Sequence, residues 1–143
     1  MPWIVSESRR AFWGHACLAL MCGAAVAGCR RGPTLVPAEG RVVLDGKPLA
    51  SGAIMVQPEA GPAAQAMIQP DGSFRLGTFA PEDGAIPGTA AVRIICRQEV
   101  TKPGEERAFG RSLIPEKYAR FESSGLSVEI KAGMAPLLIE LSQ

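Results

Sequence analysis

The feature that most restricts this chain is the alternation over Thr89–Gln98. Ala90, Val92, Ile94 and Cys96 fall on one face of an extended strand, and Ala91, Arg93, Ile95 and Arg97 on the other. A period of two with apolar residues on one side describes a half-buried β-strand, not a helix. Shorter runs around it repeat the theme. Gly40–Leu44 is β-prone and ends at Asp45-Gly46, a pair that tolerates positive φ and so favours a tight hairpin turn. Ala53–Gln57 is closed by Pro58, Gln65–Gln69 is a weaker run, and Phe74–Leu76 follows the turn Pro70-Asp71-Gly72-Ser73. Leu126, Val128 and Ile130 alternate with Ser127, Glu129 and Lys131. Leu137, Ile139 and Leu141 alternate with Leu138 and Glu140.

Seven short strands separated by turn signals predict an all-β domain, a seven-stranded Greek-key β-sandwich of transthyretin-like or immunoglobulin-like type. The expected inward set is Val42, Leu44, Ile54, Val56, Ile68, Phe74, Leu76, Val92, Ile94, Leu126, Val128, Ile130, Leu137, Ile139 and Leu141. At about 1.5–3 kcal/mol per fully buried aliphatic side chain, such a set can offset the ordering entropy without metal or disulfide. Val100–Ser112 is polar and charged and reads as a long mobile loop. Pro115–Arg120 reads as a helical turn with proline at a tolerated first position.

The amino terminus follows a different rule. Arg9 and Arg10 supply positive charge, and the seventeen residues Ala11–Ala27 contain no Asp, Glu, Lys or Arg. The run is short and rich in Gly and Ala for a spanning helix, and it reads as a signal peptide over residues 1–28. It ends at Val26-Ala27-Gly28-Cys29, which resembles the bacterial lipobox. The resemblance implies cleavage between Gly28 and Cys29 and a lipid on the Cys29 thiol, with residues 29–37 as tether and 38–143 as the folded domain. Two acyl chains hold a protein at a bilayer where one is marginal. The expected address is therefore a bacterial membrane, on its periplasmic or cell-surface face. Ser8-Arg9-Arg10-Ala11-Phe12 also resembles the twin-arginine export motif, although two arginines serve equally as plain signal charge.

Cleavage would remove Trp3, Trp13, Cys17, Cys22 and His15, the only histidine. Arg9, Arg10 and Glu7 would leave too, so the mature chain would keep thirteen basic and thirteen acidic side chains. A neutral chain with interspersed charges gives no footprint for nucleic acid. Without histidine it has no Ser-His-Asp or Cys-His pair and no histidine zinc site. Cys96 falls on the inward face, where a thiol acts as a small hydrophobe. Glu82-Asp83 and Glu105-Glu106 sit in loops without the spacing of a calcium loop, so no metal or other cofactor is expected. These exclusions favour a non-enzymatic domain.

The order of the turns carries a further resemblance. Gly40-Arg41-Val42, Asp45-Gly46-Lys47-Pro48-Leu49 and Gly52-Ala53 resemble the opening of carboxypeptidase regulatory-like, transthyretin-like domains. Asp71-Gly72-Ser73-Phe74-Arg75-Leu76 and Gly84-Ala85-Ile86-Pro87-Gly88 before Val92-Arg93-Ile94 are similar to their later hallmarks. Ile114–Tyr118 and Ser123–Val128 resemble a subgroup of small bacterial envelope lipoproteins. Thr89-Ala90 departs from the family, which places an aromatic there. The resemblance implies a structural or protein-interaction role at the envelope, with the membrane bound through Cys29 and envelope proteins as partners. The rival reading is a glycan- or peptide-binding module. For it the candidate ligand-binding aromatics are Tyr118, Phe109 and Phe121, with Phe79 as another loop aromatic.

Overall fold

A computed structural model describes residues 32–100 and 108–143. Gly28, Cys29 and the signal segment lie outside the described residues.

The described chain is all-β with short helical turns. In chain order the strands are β1 Glu39–Leu44, β2 Lys47–Pro48, β3 Ala53–Pro58, β4 Ala64–Met67 and β5 Ser73–Arg75. They continue with β6 Gly88–Ile95, β7 Arg97–Val100, β8 Ala108–Ser112, β9 Leu126–Ile130 and β10 Leu137–Leu141. Between β8 and β9 lie a 3-10 turn, Glu116–Ala119, and the one-turn helix α1, Phe121–Ser124.

The strands form three groups. In the first, β1 pairs in parallel with β10 along one edge. Its other edge is shared end to end, by β5 at Glu39–Arg41 and by β2 at Val43–Leu44, both antiparallel. The second sheet is antiparallel with order β4-β3-β6-β9. The third is the ribbon β7-β8. Buried residues of both larger sheets belong to one apolar cluster: Val42, Phe74, Ile139 and Leu141 from one, and Ile54, Val56, Val92, Ile94 and Ile130 from the other.

Local chemistry explains the turns. Asp45 and Gly46 both take positive φ, 48° and 77°, the backbone of a two-residue hairpin turn that suits strand twist. At the next turn the Asp71 carboxylate accepts from the Ser73 amide at 3.0 Å and the Ser73 hydroxyl at 2.6 Å. Gly40 serves packing: a Cβ there would run into the Leu137 backbone carbonyl of β10 and stand 2.8 Å from Cζ of Phe74, so glycine lets β10 and the ring approach β1.

The expected inward set holds in every member: eleven are buried, and Leu44, Leu126, Val128 and Leu137 are partly buried and pack against the cluster. Val36, Leu49, Ala85, Ile114 and Tyr118 join it from segments without strand periodicity. Three expectations are corrected. The strand expected over Thr89–Gln98 breaks at Cys96, because β6 pairs with β3 up to Ile95 and the chain then takes β8 as partner. Cys96 stays inward, a free and buried thiol. Val100–Ser112 is not wholly a loop, since Ala108–Ser112 is a strand on β7; residues 101–107 lie outside the described set. The strands among the described residues therefore exceed the expected seven by β2, β8 and the division of β6 from β7.

Candidate functional site

Ser124 ties α1 to β6 and to the start of β9. Its hydroxyl donates to the Val92 carbonyl at 2.6 Å and accepts from the Leu126 amide at 3.2 Å. That pair of bonds caps the β6–β9 ladder at its last register, Val92 opposite Leu126. Beyond it, Arg93 of β6 has the Phe121 ring of α1 over its guanidinium, 5.1 Å from carbon to ring centroid. Arg93 Nη2 also donates to Met55 Sδ on β3 at 3.3 Å, its partner in register. Buried Ile54, Val56, Val92 and Ile94 alternate with Ala53, Met55, Arg93 and Ile95, which are half-buried on the outward face of the sheet. The Nε of Arg93 is buried with no hydrogen-bond acceptor. Among the described residues Arg93 has no ion-pair partner.

The loop between β5 and β6 forms a wall of a cleft over this sheet face. Gly77 and Gln65 exchange backbone bonds at 2.9 and 3.0 Å, fixing the loop to the edge of β4. The Asp83 carboxylate accepts three amides, from Thr78 at 2.6 Å, Ala80 at 2.9 Å and Phe79 at 3.1 Å. These bonds hold the Asp83 carboxyl below its ordinary pKa, the Thr78 amide contributing most and desolvation opposing it. Thr78 also donates its hydroxyl to the Gly84 carbonyl at 2.8 Å. Glu82 takes φ 61°, a left-handed conformation that a side chain adopts at a cost. This well-tied loop presents Phe79, which is 64% exposed, beside Met67 on β4, 67% exposed. The cleft has a volume of about 780 Å³ and is lined by Met55, Met67, Phe79, Arg93 and Ile95 among others. At its rim Arg75 pairs with Glu39 at 3.2 Å and Glu82 at 3.7 Å.

The three candidate aromatics do not converge. Tyr118 is 5% exposed, and its hydroxyl accepts from the Ser142 amide at 3.1 Å and donates to the Ser142 carbonyl at 3.3 Å. Its ring belongs to the apolar cluster and offers no face to a sugar. Phe121 is half-buried against Arg93. Phe109 is the exposed one, at 76%, and it stands on β8 rather than in a loop. Sequence reasoning named Phe79 only in passing and gave Arg93 no role. The signal for Arg93 was present: an arginine in the middle of the best strand, at an outward position flanked by aliphatics.

The ribbon occupies a definite end of the domain. Val36 bridges Ala85, three residues before β6 begins, so the segment leading from residue 32 joins at the Gly88 end. The ribbon leaves from the other end of β6, where Arg97 meets Glu116 at 3.9 Å and Tyr118 meets Ser142. The eight extended residues of β6 separate the two ends by about 23 Å.

Among the described residues no three His, Cys, Asp or Glu side chains gather to hold a metal ion, and no helix is long and apolar enough to cross a membrane. No family model, no curated protein and no solved structure matches the chain.

Proposed function

We propose that this chain is an exported protein, lipid-anchored through Cys29, whose domain is a non-enzymatic protein-interaction module at a bacterial envelope. The same reading makes the domain a Greek-key sandwich of the carboxypeptidase regulatory-like kind. Two larger sheets that contribute to a single apolar cluster support it, as does the order of the turns at Asp45-Gly46 and Asp71-Gly72.

The observation that carries the interaction role is the polarity of the domain. Seven residues link Cys29 to Val36, a reach of at most about 25 Å. A lipid on Cys29 would keep the Val36–Ala85 end near the bilayer and turn the ribbon, with exposed Phe109, away from it. A two-stranded ribbon is marginally stable in water by itself, and an exposed aromatic on it is a natural anchor for a partner. A glycan platform is less favoured, because Tyr118 and Phe121 are both engaged within the fold.

Two measurements test the proposal. Mass spectrometry of the native protein should find a diacylated Cys29 as first residue, and Cys29→Ala should abolish membrane partition. A photo-crosslinking residue placed at Phe109 in living cells should trap one discrete envelope protein, while one at Glu129 should not. A native protein that begins at Met1 and stays free of membranes would end the anchor. Equal crosslinking from both positions would end the interaction role of the ribbon.

A further inference from the structure

We infer that the cleft between the loop 77–83 and the outward face of β3, β4 and β6 is a binding site for a small amphiphilic carboxylate, a single carboxylate joined to an apolar chain. This inference is independent of the lipid anchor and of the ribbon.

The floor defines the chemistry. A guanidinium is a bidentate, permanently charged donor suited to a carboxylate. In most folds one that is half-buried finds a carboxylate, because removing it from water without a counter-charge is costly. Arg93 has none among the described residues. Its neighbours are a thioether and an aromatic face, Met55 Sδ at 3.3 Å and the Phe121 ring at 5.1 Å, which fix its direction without neutralising it. Its buried Nε lacks any acceptor. The other charges lining the cleft, Arg75 and Glu82, already pair with one another at 3.7 Å.

The walls define the rest of the ligand. Met67 and Phe79 are large apolar side chains left in solvent at the cleft, and Ile95 and Ala53 are half-buried on its floor. Phe79 is not there by default: three amides on Asp83 and a left-handed Glu82 hold the loop that presents it. Pre-ordering of this kind lowers the entropy lost on binding. A volume of about 780 Å³ suits a ligand of small-molecule size. The carboxylate would sit on Arg93 and the apolar chain would run between Met67 and Phe79. An acyl chain and a short apolar peptide with a free C-terminus share this chemistry.

The test uses the intact protein in nanodiscs with methyl-labelled methionine, followed by methyl NMR. Octanoate, octanol, acetyl-trileucine and its amide are supplied at equal free concentration set by dialysis. Either acid should shift the Met55 and Met67 methyls saturably. Each acid should bind about tenfold to a hundredfold more tightly than its uncharged analogue, the range for a charge-assisted pair. Binding of octanoate alone identifies an acyl ligand, and binding of the peptide alone identifies a polypeptide terminus. Arg93→Gln should erase the preference for acid, and Arg93→Lys should retain part of it. Phe79→Ala should weaken acid and analogue alike. The inference is overturned if neither acid moves the Met55 and Met67 methyls, if acid and analogue bind equally, or if folded Arg93→Gln keeps the preference.

Discussion

Replacing Tyr118 by Phe separates a structural lock from a recognition surface. The ring is 5% exposed and would stay in place, so only the hydroxyl is lost. That hydroxyl accepts from the Ser142 amide at 3.1 Å and donates to the Ser142 carbonyl at 3.3 Å, joining the 3-10 turn to the end of β10. Ser142 is itself exposed, so water can reclaim part of both bonds. The expected cost is therefore about 1 to 2 kcal/mol, the value of one or two ordinary hydrogen bonds. In a domain of about 100 residues this lowers Tm by roughly 5–10 °C. Urea denaturation should show the loss with an unchanged slope. Removing Ser142 and Gln143 should cost a similar amount in the natural sequence and far less in Tyr118→Phe, since both changes delete the Tyr118–Ser142 contact and the deletion adds only the loss of the exposed Gln143 amide bond to Asp45. A variant as stable as the parent, or additive losses in the double change, would refute the lock.

Further outcomes follow from the same geometry. Ile94→Ala, at a side chain with no exposure, should cost about 2–5 kcal/mol in urea denaturation, and a loss below about 1 kcal/mol would place Ile94 outside the core. Gly40→Ala drives a Cβ into the Leu137 backbone carbonyl of the parallel partner β10 as well as the Phe74 ring and should destabilise by about 1–3 kcal/mol; an unchanged Tm would show that β1 and β10 are not held so closely. Asp83 ionises more readily in the folded loop than in the unfolded chain. Its contribution is complete above the ordinary carboxyl pKa and fades as pH falls through the lowered value, below about pH 4. Carboxyl NMR should place its midpoint beneath that of an unstructured aspartate, with the Thr78 amide shift following the same curve. A midpoint at or above the ordinary value would dissolve the account of the loop.

Much of the fold could be read from residue order because strand period is local. The alternation at Leu126–Ile130 and Leu137–Leu141 fixes which side chains turn inward whatever the partner strand is. The tight turn at Asp45-Gly46 was equally legible, since few residue pairs accept two positive φ angles. The strand β8 was hidden for the opposite reason. Ala108-Phe109-Gly110-Arg111-Ser112 has no apolar alternation, and it is extended because β7 supplies backbone partners. Tyr118 looked like a candidate platform because a polar-tipped aromatic in a charged stretch carries no sign of burial. Ser142, twenty-four residues away, decides its place.

Sequence alone set the all-β class, the inward faces of the strands and the turn positions, because each depends on residues a few places apart. It also supplied the lipobox-like Val26–Cys29, whose reading rests on order and not on shape. Tertiary structure decided which strands are neighbours, including the parallel pairing of β1 with β10. It decided as well that Arg93, Met55 and Phe121 meet on one sheet face. Those three come from segments far apart in the chain, and the contacts between them exist only once distant backbone has been brought into register.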